Sequence, residues 1–313
     1  MMERVLAIET SCDDTSVAIV DRGGRVLSVV SASQDLEHQP YGGIVPEIAS
    51  RNHSIALIPL IEEALKKANM TWADIPGIAV TSRPGLIGAL IVGLVTAKSL
   101  SQAKNIPFIG VNHLEGHLLA PFLKDDQYSP PEDFDYPYVG LAISGGHTSL
   151  YHIRGIGDYE VLGATKDDAA GEAFDKFAKM AGLGFPGGVK VDQISKTGNP
   201  AAYDFPRSMI HDDTFDMSFS GLKSSGQRML EQMGAEEVKK HLPDLCASFQ
   251  EAIVDVLIAK LEKAAKKFKS KRVILTGGVS ANSRLRARAE EWAQKKGYKL
   301  VIPPIRYCTD NAA

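Results

Sequence analysis

Cysteine is scarce in this sequence, and its spacing excludes two kinds of site. The 313 residues include three cysteines, Cys12, Cys246 and Cys308. No pair has the Cys-x-x-Cys spacing of a zinc site, and an odd, widely spaced set does not form a disulfide framework. We therefore expect a protein of the reducing cytoplasm.

Long apolar runs are missing as well. The longest spans residues 86–95, contains two glycines and falls far short of the roughly 20 apolar residues that cross a bilayer. The first predicted strand begins at Val5, which leaves too few residues for the apolar part of a signal peptide. We expect no contact with a membrane.

Neither sign of charge dominates, since the formal net charge is −3 at pH 7. The overall charge therefore gives no indication of nucleic-acid binding, although basic groups gathered on one face would still permit it. The sequence also lacks a Walker A loop and the signature of a serine triad. These absences exclude a P-loop nucleotide site and argue against a serine hydrolase.

A strand, a polar loop and a return strand occur twice along the chain. Residues 5–20 form the first copy around the loop Glu9–Thr15, and residues 138–153 form the second around Ser144–Thr148. Helical patterns follow each copy. This repetition predicts a duplicated α/β domain.

The length of the chain suggests about two domains, and an acidic, proline-containing segment marks their boundary. We predict a first lobe over residues 1–124, a linker over 125–137 and a second lobe over 138–313. In the second lobe we predict a long helical stretch from Ala235 or Glu236 to Phe268, broken near Pro243.

Two histidines are the first candidate for chemistry. His113 and His117 lie four residues apart in a predicted helix, so both imidazoles face the same side and suit one divalent metal ion. A pair of surface histidines is the alternative. Glu115 stands two places after the first histidine rather than one, so the motif differs from the zinc-protease pattern. Asp310 is a candidate third ligand from a distant loop.

Two glycine loops are the second candidate. Ser144–Thr148 joins two strands and offers backbone amides of the kind that bind phosphate, and the loop beginning Gly277-Gly278 leads from a strand into a helix. Simple tight turns are the alternative for both loops. In the first copy, Ser11 and Asp13 occupy the equivalent loop, where a self-capping hydroxyl-rich turn is the alternative.

A third candidate is an acidic helix face. Asp168, Glu172 and Asp175 are spaced to lie on one side of a predicted helix. A solvated face is one interpretation, and a carboxylate that holds ribose hydroxyls is the other.

Eight motifs taken in order resemble the TsaD family, the bacterial-type tRNA N6-adenosine threonylcarbamoyltransferases, formerly called glycoproteases or O-sialoglycoprotein endopeptidases. The resemblance covers essentially the whole chain. The motifs are residues 9–15, 113–117, 144–148, 167–176, 185–188, 218–223, 277–282 and 308–311.

The resemblance implies an α/β, duplicated actin-like and sugar-kinase-like (ASKHA) fold with two lobes and a nucleotide-binding cleft. It implies transfer of a threonylcarbamoyl group from threonylcarbamoyl-adenylate to the exocyclic amine of the adenosine 3′ of the anticodon, in tRNAs that read ANN codons. It also implies tRNA, ATP, ADP or AMP as ligands, and a TsaB-like paralogue and a TsaE-like ATPase as partners.

The resemblance further assigns site residues. It places one divalent metal ion on His113, His117 and Asp310, with Fe²⁺ favoured and Zn²⁺ as the alternative, and Mg²⁺ can accompany a nucleotide. From the polar loop of the first copy, and not from the resemblance, we predict Ser11 and Asp13 as the catalytic residues. The expected substrate and nucleotide contacts are Ala142, Ile143, Ser144, Gly145, Gly146, Asp175, Gly188, Asp192 and Asn282.

Two features depart from the family pattern. Arg83 stands where the family usually has glycine before its Pro84-Gly85 turn. Family members also continue past Ala313 into another helix, so we expect a second lobe that is truncated at its C-terminus and an Asp310 that is less firmly held.

Three other functions use comparable features. A sugar or acetate kinase shares the expected fold but has no need of the two histidines and the distant aspartate. A metalloprotease is disfavoured by the position of Glu115. An ATP-binding regulatory scaffold is the third alternative, and a retained metal ion would argue against it.

Two basic stretches are candidates for contact with tRNA phosphates, with a solvated surface as the alternative for both. They are Lys263, Lys266, Lys267, Lys269, Lys271 and Arg272 in one stretch, and Arg284, Arg286 and Arg288 in the other.

Overall fold

The computed structural model describes residues 3–313, which divide into two compact units. The first unit runs to Glu132 and also includes Arg306–Ala313, and the second comprises Asp133–Ile305. Within the described residues, no helix combines the length and the apolar character that a membrane span requires.

A mixed five-stranded sheet forms the centre of the first unit. Strands β1 (Arg4–Glu9), β2 (Asp14–Asp21) and β3 (Val26–Ser33) form an antiparallel meander. Strands β4 (Ile78–Arg83) and β5 (Phe108–Asn112) extend the sheet in parallel from β1. The strand order is therefore β3-β2-β1-β4-β5.

Four helices accompany this sheet. They are α1 (Asp35–His38), α2 (Pro46–Lys67), α3 (Ile87–Lys104) and α4 (His113–Leu119). Apolar side chains of α2 and α3 share one core with those of the strands. Helix α3 is apolar on all sides, and it also exposes Ile87, Ile91 and Val95.

The second unit is built in the same way around a second mixed sheet. Strands β6 (Tyr138–Ile143), β7 (Thr148–Gly155) and β8 (Asp158–Ala164) form an antiparallel meander. Strands β9 (Arg272–Thr276) and β10 (Lys299–Val301) continue in parallel from β6.

Four longer helices belong to the second unit. They are α5 (Ala170–Met180), α6 (Gly187–Ser195), α7 (Ser220–Lys267) and α8 (Ser283–Lys296). A last short helix, α9 (Ile305–Cys308), begins at the boundary between the units.

Strand order confirms the predicted duplication. The second sheet has the order β8-β7-β6-β9-β10, which matches the first sheet strand for strand. In each unit a three-stranded meander is followed by strands added in parallel to its first member. The predicted fold class, a duplicated α/β fold of the ASKHA type, describes both units.

The long helix differs from its prediction. We predicted a helical stretch from Ala235 or Glu236 to Phe268 with a break near Pro243. Helix α7 runs from Ser220 to Lys267 through Pro243, and its part after Gly234 begins where the sequence predicts. The break lies at Gly234, with φ 72° and ψ 161°. Glycine adopts such a positive φ at low cost because it has no Cβ.

The domain boundaries also differ from expectation at the end of the chain. We predicted a second lobe over residues 138–313, but Arg306–Ala313 pack with the first unit. The reason is a set of anchors there: Arg306 Nη2 bonds to Asp125 Oδ2 at 2.7 Å, and Ala312 N donates to Ser16 Oγ at 3.1 Å.

A single carboxyl group organises the start of α7. The side chain of Asp167 accepts hydrogen bonds from the backbone amides of Phe219 (2.8 Å) and Ser220 (3.1 Å). It also accepts from the hydroxyls of Ser218 and Ser220, both at 2.6 Å. Although partial burial opposes it, this set of bonds lowers the pKa of Asp167.

We expect Asp167→Ala to lower the free energy of unfolding by about 1–3 kcal/mol, the scale of a lost helix cap with charged hydrogen bonds. Urea denaturation of the variant and of Asp213→Ala, a fully exposed aspartate, measures the effect. A lowered pKa stabilises the folded state at neutral pH, and this contribution is lost as the pH falls below about 4. Equal midpoints for Asp167→Ala and Asp213→Ala at pH 7 would contradict the assignment.

Candidate functional site

The two predicted metal-binding histidines lie one turn apart at the start of α4. The helix begins immediately after β5, and Asn112 caps it by accepting a hydrogen bond from Leu114 N at 2.9 Å. The imidazole rings of His113 and His117 meet edge to face with centroids 4.6 Å apart. His117 is buried, and the side chain of His113 is 9% exposed.

Asp310 completes a cluster with both imidazoles. Its Oδ1 lies 3.2 Å from His117 Nε2 and 3.4 Å from His113 Nε2. Metal–ligand bonds of about 2.0–2.2 Å hold neighbouring donor atoms roughly 3 Å apart. The spacing and the chemistry of these three donors therefore fit a single divalent metal ion.

The loop that carries Asp310 is anchored on both sides. Tyr307, which is 1% exposed, donates its hydroxyl hydrogen to Asp125 Oδ2 at 2.5 Å. Arg306 pairs with the same carboxylate, and Ala312 N binds Ser16 on the other side of Asp310. In the structure these contacts hold the loop that we expected to be less firmly held.

Glu9, which the sequence analysis did not assign to the site, supports the metal cluster. It is 2% exposed at the end of β1, and its Oε2 accepts hydrogen bonds from His113 Nδ1 (3.0 Å) and Thr81 Oγ1 (2.6 Å). A bond at Nδ1 directs Nε2 toward Asp310, as carboxylates do for metal-binding histidines. The sequence feature that could have identified Glu9 is a carboxylate directly after the apolar residues of the first strand.

The charges of this cluster favour a cation at its centre. Burial lowers the pKa of His113, but hydrogen bonds to Asp310 and Glu9 outweigh it and raise the pKa to about 10. Burial likewise opposes ionisation of Asp310, yet bonds to the two histidines hold its pKa below the usual range. The carboxyl groups that stabilise a protonated imidazole would also stabilise a divalent cation.

Ser11 contacts His113 on the Nδ1 side of its ring, opposite the Nε2 atom that faces Asp310. Its Oγ is 3.3 Å from His113 Nδ1, and the residue is 2% exposed. Its backbone carbonyl accepts from Leu86 N at 2.8 Å, and a Cβ at Gly85 would come within 2.5 Å of it. This close approach, at a φ of +156°, explains why glycine follows Pro84.

Asp13 and Asp14 extend the acidic surroundings of the cluster. Burial, followed by the charge of Asp310, raises the pKa of Asp13, while a hydrogen bond to Cys12 opposes the shift. Burial and the neighbouring charges of Asp13 and Asp310 raise the pKa of Asp14 to about 7. The structure thus brings Ser11 to His113 and places Asp13 within electrostatic reach of Asp310.

In the second unit, the predicted phosphate loop follows β6. Ala142 and Ile143 are buried in the strand, and the turn closes with a bond from Ser144 N to His147 O at 2.7 Å. A Cβ placed on Gly145 or Gly146 would meet nothing within 4 Å. The turn is therefore open on the side where a Cβ would project, whereas Gly171 of α5 packs closely against the backbone of Ser144 and Gly145.

The second glycine loop lies beside the end of the same strand. Gly277 has a φ of +84°, and a Cβ there would lie 2.4 Å from Ile143 O. Only glycine fits this approach. Beyond the loop, Asn282 caps α8 by accepting a hydrogen bond from Leu285 N at 2.9 Å.

The predicted nucleotide contacts Asp175, Gly188 and Asp192 take part in hydrogen bonds at helix α6. Asp175 Oδ1 accepts from the amides of Gly187 (2.7 Å) and Gly188 (3.2 Å), the first two residues of the helix. Asp192 Oδ1 accepts from Ser283 N (3.2 Å) and Ser283 Oγ (2.7 Å), at the start of α8. Asp192 and Asn282 are therefore brought together, whereas Asp175 and Gly188 form a separate contact.

The other two acidic residues of the predicted helix face are neutralised, and Asp168 lies before α5, which begins at Ala170, rather than on the helix. Lys176 pairs with Asp168 at 3.0 Å and with Glu172 at 2.6 Å, and Lys223 approaches Asp168 at 2.7 Å. These two carboxylates form ion pairs rather than a free acidic surface.

The second basic stretch is largely occupied within the unit. Arg284 and Arg288 both bond to Glu251, and Arg286 donates to the carbonyl oxygens of Ser280 and Pro303. Their charge and donors are therefore used in packing α8, which disfavours this stretch as a phosphate-binding patch.

Comparison with known proteins agrees with these features. Bdellovibrio bacteriovorus has a tRNA N6-adenosine threonylcarbamoyltransferase that is 84% identical over 313 residues, which cover 100% of this chain and 91% of the relative. An enzyme of the same name from Anaeromyxobacter dehalogenans is 51% identical over 100% of this chain and 92% of its own length.

Solved structures show the fold alone. Full-length HypF matches with a TM-score of 0.61 and 13% identity over 98% of this chain and 53% of its own. Component A of the (R)-2-hydroxyglutaryl-CoA dehydratase of Acidaminococcus fermentans matches with a TM-score of 0.56 and 14% identity, over 96% of this chain and 92% of its own. Both likenesses confirm the duplicated ASKHA-type fold.

The match to the family is more specific. A model of the family described as TsaD, tRNA N6-adenosine threonylcarbamoyltransferase, matches residues 25–313. Together with the full-length relatives, this match shows that the chain belongs to the TsaD family of tRNA N6-adenosine threonylcarbamoyltransferases.

Proposed function

We propose that this chain transfers the threonylcarbamoyl group from threonylcarbamoyl-adenylate to the exocyclic amine of the adenosine 3′ of the anticodon, in tRNAs that read ANN codons. Membership of the family supports the reaction. The single structural observation that carries it is the cluster of His113, His117 and Asp310, whose donor atoms have the spacing of a metal site.

The metal site is proposed to hold Fe²⁺, with Zn²⁺ as the alternative, because two imidazoles and one carboxylate suit both ions. When bound, such an ion supplies Lewis-acid stabilisation of negative charge on a substrate oxygen. Glu9 and Ser11 hold His113 through its Nδ1, which keeps Nε2 directed at the cluster.

The reaction needs no covalent enzyme intermediate, because the donor is a mixed anhydride with a good leaving group. The adenosine N6 attacks the carbamoyl carbon, the bond from this carbon to the phosphate oxygen breaks, and AMP leaves. The N6 proton must be removed. We assign this role to the carboxylate of Asp13, which lies on the loop that follows β1 next to Ser11.

The adenylate is proposed to bind the second unit. Open backbone at Gly145 and Gly146 allows close approach of phosphate, and Ala142, Ile143 and Ser144 shape the same turn. Asp175 and Gly188 at α6, together with Asp192 and Asn282 near α8, are the proposed contacts for the nucleoside. Mg²⁺ can accompany the nucleotide.

Further partners follow from the proposed reaction. Besides tRNA, we propose a TsaB-like paralogue and a TsaE-like ATPase, and a tRNA substrate would place the reaction in the cytoplasm. The family match does not favour a sugar or acetate kinase or a purely regulatory ATP-binding scaffold.

A reconstituted assay tests the reaction itself. With tRNA, threonylcarbamoyl-adenylate and the proposed partners, we expect the modified adenosine to appear in nucleoside mass spectrometry. Asp13→Asn should lose most of this activity while binding the adenylate as before, because it removes the proton acceptor. Undiminished transfer by Asp13→Asn would overturn its role, and phosphorylation of a small sugar without modification of tRNA would overturn the proposed function.

Elemental analysis tests the metal assignment. We expect about one divalent ion per wild-type chain and its loss in His113→Ala, His117→Ala and Asp310→Ala, since each removes one of three ligands. Glu9→Gln should weaken metal affinity about 10- to 100-fold, as loss of a supporting carboxylate does.

His211→Ala, which changes an exposed histidine of the second unit, is the control and should keep full metal content. Full occupancy in the double variant of His113 and His117 would show that the ion binds elsewhere.

Titration calorimetry with ADP tests the nucleotide loop. Gly145→Val should abolish measurable binding, because its side chain would fill the space over the turn that a phosphate needs. Gly155→Val is a matched control, since a Cβ at Gly155 also meets nothing within 4 Å but lies at the end of β7. Equal ADP affinity in the two variants would remove Ser144–Gly146 from the proposed site.

A further inference from the structure

Gln250 is a buried polar side chain that no part of the proposed chemistry uses. It lies within α7, is 3% exposed, and directly follows the apolar core residue Phe249. A buried amide without hydrogen bonds is costly. Its bonding partners therefore show what it does in this unit.

Both ends of the Gln250 amide reach toward residues of the proposed nucleotide site. Its Oε1 accepts a hydrogen bond from Asn282 Nδ2 at 2.6 Å. Its Nε2 donates to Ser195 Oγ at 2.8 Å, and Ser195 Oγ donates to the carbonyl oxygen of Asp192 at 2.8 Å. One side chain of α7 thus connects Asn282 at the start of α8 with Asp192 on α6.

The donor and the acceptor of each hydrogen bond in this series are determined, starting from the Asn282 side chain. Asn282 Oδ1 is occupied as the cap of α8, because it accepts from Leu285 N at 2.9 Å. Its Nδ2 must then point at Gln250, which has to present Oε1 there and Nε2 to Ser195. Each amide has a single orientation that satisfies all of its bonds, so the plane of the Asn282 side chain is held in one position.

A second, direct contact joins the same two elements. The carboxylate of Asp192 accepts from Ser283 N and Ser283 Oγ, adjacent to Asn282. This contact restrains the backbone of α8 relative to α6 but does not touch the Asn282 amide. The orientation of that amide depends on the helix cap and on Gln250.

We propose that Gln250 is a positioning residue for adenine-nucleotide binding, acting through the side chain of Asn282. The inference rests on the proposed role of Asn282 at the nucleotide site. Because Gln250 is buried, it acts by fixing the Asn282 amide before the ligand arrives, which spares the ligand the cost of ordering it.

The test measures ADP affinity by titration calorimetry for wild type, Gln250→Met, Asn282→Ala and the double variant. Methionine preserves volume, whereas a smaller residue would admit water from the adjoining cavity of about 270 Å³, which Gln250 and Ser195 line. We expect Gln250→Met to weaken ADP binding about five- to tenfold, the scale of one net hydrogen bond.

The double variant separates a role through Asn282 from an independent one. If Gln250 acts through Asn282, the double variant should bind ADP within about twofold of Asn282→Ala alone, since only independent effects add. With threonylcarbamoyl-adenylate as substrate, Gln250→Met should raise KM and leave kcat unchanged. Gln250→Glu keeps the acceptor for Asn282 Nδ2 but loses the donor to Ser195 Oγ, so it should restore only part of the affinity.

Ser248→Ala is the control for a merely structural effect. Ser248 is also buried on α7, and its hydroxyl donates to Asn199 O and accepts from Tyr203 N, both at 3.1 Å. It should lose stability without losing ADP affinity.

Two results would overturn the inference while leaving the nucleotide site intact: unchanged ADP affinity in both Gln250 variants, or losses that add in the double variant. Unchanged affinity in Asn282→Ala would overturn the inference and also the proposed nucleotide contact of Asn282. Should Gln250→Met fail to fold, Ser195→Ala removes the support of the Gln250 amide and is expected to weaken ADP binding by a smaller factor.

Discussion

The hydrogen bonds of the buried Glu9 carboxyl group support the candidate metal site of the first unit. This carboxyl group accepts hydrogen bonds from Ser11 N, Thr81 Oγ1 and His113 Nδ1, and so joins the loop after β1, strand β4 and helix α4. Burial makes these bonds strong and makes an unpaired carboxyl costly. The bond to Nδ1 orients the His113 ring so that its Nε2 faces Asp310.

Carboxyl groups also organise the second unit, where each of three helices begins at an aspartate from another segment. Asp167 accepts a hydrogen bond from the first backbone amide of α7. Asp175 accepts from amides in the first turn of α6, and Asp192 accepts from the first amide of α8. The amides at a helix start attract anions, and here aspartates already occupy several of them. This occupation supports the proposed phosphate contact at the turn of Gly145 and Gly146, which is open on its Cβ side.

Several elements were predictable because their signals are local. Helical spacing was sufficient to place His113 and His117 on one face, and two strand–loop–strand patterns were sufficient to predict duplication. Strand β8 and helix α6 were not predicted. Three of the seven residues of β8 are exposed and only Gly163 is buried, at the edge of its sheet, so it lacks the apolar pattern of a buried strand. The start of α6 is stabilised by Asp175, twelve residues earlier, rather than by a local cap.

The sequence by itself determined the duplicated α/β fold, the paired histidines and the two glycine loops, because each depends on residues a few positions apart. The tertiary structure decided which residues, distant in the sequence, contact the histidines and the second glycine loop. Glu9 lies 104 residues from His113, and Gln250 lies 32 residues from Asn282. Asp310 lies 193 residues from His117, and the family resemblance, not the spacing, was what assigned it in advance. Contacts across such separations depend on how sheets and helices pack, because periodicity along the chain carries no information about which buried polar groups will satisfy one another.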